Sequence, residues 1–177
     1  MSPFRPDLVA CWMFRVDADR GLEILLLHRA PGRIFPGIWQ PVTGGLEAGE
    51  RIIDGALREL VEETGVGPDG IATLYGLDQV NIFHADHLDM LQAEAVFAAD
   101  LRPGIEAVLS EEHDEQRWVS PAAASEMVLW PAYREAITQL GWIAGHRELA
   151  GLMQVGAWAV EGSAPPKLAA ASDHWSR

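Results

Sequence analysis

Cysteine is nearly absent from this chain of 177 residues: Cys11 is the only one, so no intramolecular disulfide can form and an oxidising compartment is not indicated. Its expected role is core packing. Positive charge is scarce as well. Thirteen Lys and Arg stand against 26 Asp and Glu, a formal net charge of −13. That balance argues against polymeric nucleic acid as a partner, which needs a basic footprint to release counterions. It does not argue against a small phosphorylated substrate, because a bound cation inverts the local field. No apolar run reaches the roughly 18 residues a membrane helix needs, and no basic start leads into an apolar core, so no membrane is implied and the chain is expected to be soluble and cytoplasmic. The histidines are widely and irregularly spaced and lack the cysteine or paired histidine that would complete a zinc site. No internal repeat is present. What remains, with 49% hydrophobic and 22% charged residues, is an ordinary globular composition and enough length for one domain with a real core.

The informative stretch is Gly44 to Val66, GGLEAGERIIDGALRELVEETGV. From Ile52 to Thr64, the residues Ile53, Ala56, Leu57, Leu60 and Thr64 recur at three- and four-residue steps, which predicts a helix with one apolar face. Glu59, Glu62 and Glu63 fall at i, i+3 and i+4 and share a different face, expected to be the exposed one. Gly65 suits the residue just past the helix end. Like charges that close repel, and a hard divalent cation with oxygen ligands reverses that cost. A lone acidic face is ordinarily a solvated one. Here the whole pattern G-x5-E-x7-R-E-U-x-E-E-x-G-U, with U a bulky aliphatic, is matched by Gly44, Glu50, Arg58, Glu59, Leu60, Glu62, Glu63, Gly65 and Val66. Average residue frequencies put a chance match on the order of 10⁻⁸ to 10⁻⁷ per chain.

In these residues the chain resembles the Nudix hydrolases, and the stretch resembles the Nudix box. The resemblance implies an α/β fold, an α/β/α sandwich with a mixed β-sheet, and Mg²⁺- or Mn²⁺-dependent cleavage of a diphosphate linked to another moiety. It also implies that Glu59, Glu62, Glu63 and the Gly44 carbonyl hold the metal. Arg58 and Glu50 are then an orienting pair. A glutamate ahead of a strand tryptophan adds a ligand or acts as base; Glu112 fits that position best, with Glu115 its rival, and Glu59 is the other candidate for the base. Where many members have Phe-Pro-Gly-Gly, this chain has Pro41-Val42-Thr43-Gly44-Gly45, which leaves the turn geometry open and the spacing from Gly44 intact.

Around the box, Leu8 to Val16 and Leu22 to His28 read as a strand pair joined by the turn residues Asp17 to Gly21. Arg29 to Gly37 is a loop carrying Arg29 and Arg33, both candidates for substrate phosphates through a guanidinium fork. Trp39 is a further candidate for substrate binding. Ile71 to Phe83 and His87 to Ala98 read as two more strands with His84 to Asp86 as their turn, and Phe83, His84 and His87 are open between a ring-binding edge and plain packing. Leu101 to Glu112 connects to a strand at Trp118-Val119. Ser120-Pro121 starts a helix in the cap and first-turn pattern, and Pro131 to Leu140 supplies the last one. We divide the chain into a domain at 1–141 and an extension at 142–177, helical at first and then, from Gly162 to Ser176, of a composition suited to a mobile end.

No serine or cysteine nucleophile is needed for this chemistry, so water attack on phosphorus is the expected route. The combination of Trp39 to Gly44 with Glu112-His113 ahead of Trp118 is similar to the branch that converts dATP or dihydroneopterin triphosphate to a monophosphate and pyrophosphate. The proline and tyrosine signatures of the ADP-ribose and diadenosine polyphosphate branches are not met. A hydrolase of ADP-ribose, NADH or a dinucleoside polyphosphate, and a non-catalytic nucleotide-sensing domain, are the alternatives. The expected partner is a small nucleotide-like molecule. A homodimer follows from family habit alone.

Overall fold

The computed structural model of the protein describes residues 4–155. Its centre is β1 (Leu8–Asp17), in which Val9 through Phe14 are all buried. Six consecutive buried residues on a strand require cover on both faces, since successive side chains point to opposite sides. Ala10, Trp12 and Phe14 enter one core and Val9, Cys11 and Met13 the other. Cys11 packs as expected, and burial drives its thiol pKa upward.

β1 turns back into β2 (Gly21–Arg29) with Met13 opposite Leu25. The turn is set by Asp17, whose side chain accepts from the Asp19 and Arg20 amides, and by Gly21 at φ 75°. Two short strands follow, β3 (Trp39–Gln40) on β2 and β4 (Val42–Gly45) on the first half of β1. Helix α1 (Ile52–Thr64) comes next, with Gly65 beyond it in the left-handed conformation at φ 68°. β5 (Ile71–Ala85) and β6 (Met90–Leu101) form a long antiparallel pair, and β6 runs parallel to β1. β7 (His113–Val119) pairs antiparallel with β2. Helices α2 (Pro121–Met127), α3 (Pro131–Gly145) and the short α4 (Arg147–Ala150) complete the described chain.

The sheet is therefore mixed, and it is covered by α1 on one face and by α2 and α3 on the other. Ala56 and Leu60 of α1 sit in the core of Val9, Cys11 and Met13. Tyr133, Ala136, Ile137, Leu140 and Ile143 of α3 sit in the opposite one. This is the α/β/α sandwich that the resemblance implied.

Several boundaries differ from the sequence reading. The β5–β6 connection falls at Asp86–Leu88 with Asp89 left-handed at φ 49°, rather than at His84–Asp86, because His84 still pairs across to Leu91. β7 begins at His113, five residues before Trp118, because pairing with β2 overrides the polar composition of its first half. Helix α3 continues through Trp142 to Gly145, across the position where the extension was divided off. Residues Gly162 to Ser176, expected as a mobile end, lie outside the described residues. Among the described residues no helix is long and apolar enough to cross a membrane.

Candidate active site

The carboxylate face of α1 is not the solvated side of the helix. Glu59 is 8% exposed and Glu63 3%, and only Glu62 projects into solvent. Ile53 and Leu57, expected on the buried face, are only half-buried. The reason is tertiary: α1 packs against β4, and the groove between them takes the glutamates. Gly44 makes that possible. A β-carbon there would stand 1.8 Å from the Glu59 carboxyl carbon and 2.0 Å and 2.2 Å from its oxygens, so no other residue leaves room for this carboxylate. Gly55 does the same one helical turn earlier, where an added β-carbon would meet Leu46 at 2.4 Å and a Glu50 oxygen at 3.0 Å.

Arg58 ties the loop before the helix to its acidic residues. Its guanidinium donates to both oxygens of Glu50, at 2.9 Å and 3.1 Å, to Glu59 at 2.7 Å, to Glu62 at 2.9 Å and to the Gly45 carbonyl at 2.8 Å. Five donated bonds use the whole fork, a geometry lysine cannot reproduce. The fork holds the Glu50 carboxyl below its usual range, helped by the Glu47 amide, and the Glu50 contact in turn raises the Arg58 pKa.

Glu63 has no such counter-ion. Burial first, then the nearby Glu59 and Glu112 charges, push its pKa up to about 9, against the weaker pull of the Thr43 main chain and Arg29. Burial also raises Glu59, with Arg58 opposing and Glu62 and Glu112 adding repulsion. The Oε2 atom of Glu63 is buried without a hydrogen-bond partner. His113 Nδ1 stands 3.7 Å from it, beyond hydrogen-bond reach, and both His113 ring nitrogens are likewise unpartnered. Burial, with Arg29 beside it, lowers the His113 pKa to about 4, so the imidazole is neutral. His113 was not assigned a role from sequence. Its burial follows from β7 starting there, which local composition does not reveal.

Glu112, just before β7, is near enough for its charge to act on Glu59 and Glu63. Its carboxylate lies 3.5 Å from Arg29 Nη1 and 3.4 Å from Arg33 Nη1. Its carbonyl accepts from the Ala30 amide at 2.9 Å, which fixes the arginine loop to the start of β7. Glu115, the rival position, lies within β7 and bonds Arg117 at 2.7 Å. Trp39 is engaged apart from this group, against His28 with ring centroids 4.9 Å apart and under the Arg117 guanidinium at 4.8 Å. His84 meets Asp89 at 3.3 Å at the far end of the β5–β6 hairpin.

The donor set suits a hard divalent cation. Carboxylates crowd together in a partly dry groove, one oxygen of Glu63 is unpartnered, and the cradle at Gly44 is just wide enough for Glu59. Among the described residues no three such groups already stand at mutual ligand distance, and Arg58 bonds both Glu59 and Glu62.

A family model for the NUDIX domain matches residues 5–140. The chain belongs to the NUDIX family. Among NUDIX structures, one from Listeria monocytogenes superposes with a TM-score of 0.70 at 28% identity, over 81% of this chain and 97% of that one. The dihydroneopterin triphosphate pyrophosphohydrolase of E. coli superposes with a TM-score of 0.64 at 27% identity, over 76% and 94% of the two chains. An octanoyltransferase of Myxococcus xanthus is 37% identical over 122 residues, 67% of this chain and 32% of that protein, so the chain spans about a third of that relative. An RNA pyrophosphohydrolase of Halorhodospira halophila is 30% identical over 141 residues, 71% of this chain and 73% of that protein. NUDIX hydrolases generally use divalent metal ions.

Proposed function

We propose that the protein is a Mg²⁺-dependent pyrophosphohydrolase of nucleoside triphosphates or closely related compounds, cleaving a phosphoanhydride by water attack to release a monophosphate and pyrophosphate. The observation that carries this reading is the buried pair Glu59 and Glu63 beside Gly44, with the Glu63 Oε2 atom unpartnered. Two buried carboxylates so close repel each other, and a cation of charge two is the partner that offsets both.

Glu59, Glu62, Glu63 and the Gly44 carbonyl are the residues that would hold the cation. When bound, such an ion neutralises phosphate charge and lowers the pKa of a coordinated water. The chain's own residues do the rest. Arg58 and Glu50 set the orientation of Glu59 and Glu62, as outer partners of ligating carboxylates do. Arg29 and Arg33 would supply guanidinium groups for the phosphates, and Glu112, which pairs with both, would accept a proton or add a ligand. Mn²⁺ satisfies the same donors.

The E. coli dihydroneopterin triphosphate enzyme, at 27% identity over most of both chains, supports the triphosphate class. The RNA pyrophosphohydrolase relative favours a second reading, the 5′-triphosphate end of RNA, against which the net charge of −13 stands. The deciding experiment is a panel of deoxynucleoside triphosphates, dihydroneopterin triphosphate, ADP-ribose, NADH, diadenosine polyphosphates and 5′-triphosphorylated RNA, with Mg²⁺ or Mn²⁺, read by released pyrophosphate and phosphate. Release of pyrophosphate from a small triphosphate supports the proposal. Turnover of RNA ends alone transfers it to the second reading, and binding without turnover of any member indicates a sensing domain.

A further inference from the structure

Two residues outside the carboxylate groove break the local rules of their own segments, and they meet. Phe35 stands at φ 56°, in the left-handed region that bulky side chains seldom enter. The same loop has glycine at its other left-handed positions, Gly32 at φ 84° and Gly37 at φ 82°. The conformation returns little packing, since Phe35 is 55% exposed. Trp130 occupies the N-cap of α3, a position favoured by Ser, Thr, Asp and Asn, and makes no capping hydrogen bond while remaining 37% exposed. The two rings contact edge to face, with centroids 5.6 Å apart and planes at 77°. Where local preference fails at two places that touch, a functional reason is the expectation.

The loop that presents Phe35 also presents the arginines. Arg29 Nε donates to the Ile34 carbonyl at 2.7 Å, the Ala30 amide bonds the Glu112 carbonyl at 2.9 Å, and Arg33 lies two residues before Phe35 with its guanidinium on Glu112. Cations that suit phosphate and an exposed aromatic face therefore share one short segment. A molecule that satisfies both carries a planar heteroaromatic ring on a phosphate chain.

We propose that Phe35 and Trp130 form the stacking site for the ring of the substrate, a nucleobase or pterin, with its phosphates directed past Arg33 toward the carboxylate groove. This rests on the pyrophosphohydrolase reading above. An edge-to-face pair opens to an offset stack at little cost, so a ring can take the place of one partner's edge. Stacking uses the π-face that every base has, so the pair favours ring-bearing phosphates over bare polyphosphate without choosing among bases.

The test uses the full chain with Phe35→Gly, Trp130→Ala and Trp130→Phe. Phe35→Gly removes the ring at a position where glycine is at ease, so its thermal stability is expected to hold or rise. KM for the best triphosphate of the panel is expected to rise about tenfold in Phe35→Gly and Trp130→Ala with kcat little changed, and to be kept in Trp130→Phe. The inhibition constant of inorganic tripolyphosphate is expected to stay as in the wild type. An unchanged KM in both variants overturns the proposal, as does an equal loss of tripolyphosphate affinity. Should the wild type turn over nothing, the pyrophosphohydrolase reading fails by itself. Calorimetric binding of a non-hydrolysable nucleotide then decides the stacking site, a tenfold weakening in the two variants supporting it and equal affinity overturning it.

Discussion

Gly44 and Glu59 share one volume: a β-carbon on the first would stand 1.8 Å from the carboxyl carbon of the second. Gly44→Ala must therefore expel the Glu59 carboxylate from the groove or push β4 away from α1. Activity is expected to fall by at least about 100-fold, comparable to losing the carboxylate itself, while the fold survives because β4 is a short strand beside the intact β1–β6 core. Steady-state kinetics beside a thermal melt check this; wild-type kcat in Gly44→Ala would show that Glu59 is not needed where it sits.

Glu59→Gln and Glu63→Gln keep the volume and remove the charge. Each is expected to lower kcat by orders of magnitude, and both to weaken Mn²⁺ binding measured by electron paramagnetic resonance. Equal turnover by either variant would sink the proposed cation site.

The pH dependence of stability without added metal follows from Glu63 and His113. Glu63, raised to about 9 in the fold, holds its proton more tightly folded than unfolded, so it stabilises fully below its unfolded value near 4.5 and loses that contribution as pH rises toward 9. His113, lowered to about 4, acts in the opposite sense: its contribution is complete above its unfolded value near 6.5 and is lost as pH falls toward 4. The two oppose each other between about pH 4.5 and 6.5 and leave a net decline from about 6.5 to 9. Glu63→Gln is expected to flatten that decline and to raise the metal-free Tm at pH 8 by about 4 °C or more. A pH series of melts on the two proteins provides the check.

Arg58→Lys retains the charge and loses the fork. With five donated bonds reduced to at most three, Glu50 and the Gly45 carbonyl cannot both stay held alongside Glu59 and Glu62. Activity is expected to drop about 10- to 100-fold through misplaced carboxylates. The distinguishing readout is the metal dependence: the Mg²⁺ concentration for half-maximal rate should rise in Arg58→Lys, whereas a merely destabilised fold would leave it in place.

Arg33→Ala and Glu112→Gln separate the two partners of one ion pair. Arg33→Ala is expected to raise KM about tenfold with kcat nearly kept, the mark of a phosphate contact. Glu112→Gln is expected to lower kcat, the mark of a group that meets the reacting water or the cation. Wild-type KM in Arg33→Ala, or wild-type kcat in Glu112→Gln, would overturn the corresponding assignment.

The box motif was legible because its chemistry is local. Glu59, Glu62 and Glu63 lie within one turn of a single helix, Arg58 reaches Glu62 at i+4, and Gly65 ends the helix for a conformational reason confined to itself. The same local logic misled where burial mattered. Helical periodicity placed the glutamates on an exposed face, and no pattern within α1 reports that β4 lies against them. The start of β7 was hidden for a related reason, since His113 to Gln116 reads as polar loop until β2 pairs with it.

By itself, then, the sequence determined which groups the proposed chemistry has available and the helix that carries most of them. It also determined β1, β2, β5, β6 and the end of β7, since β-prone runs and turn residues are properties of neighbours in the chain, while the short β3 and β4 exist only through pairing with β2 and β1. Only the tertiary structure decided that Glu59 lies in the space left by Gly44, that Glu63 and His113 are buried with unpartnered atoms, and that Glu112 closes on Arg29 and Arg33. Burial and desolvation arise between segments 15 to 83 residues apart, and desolvation is the first cause of the raised Glu59 and Glu63 pKa values on which the proposed cation site rests.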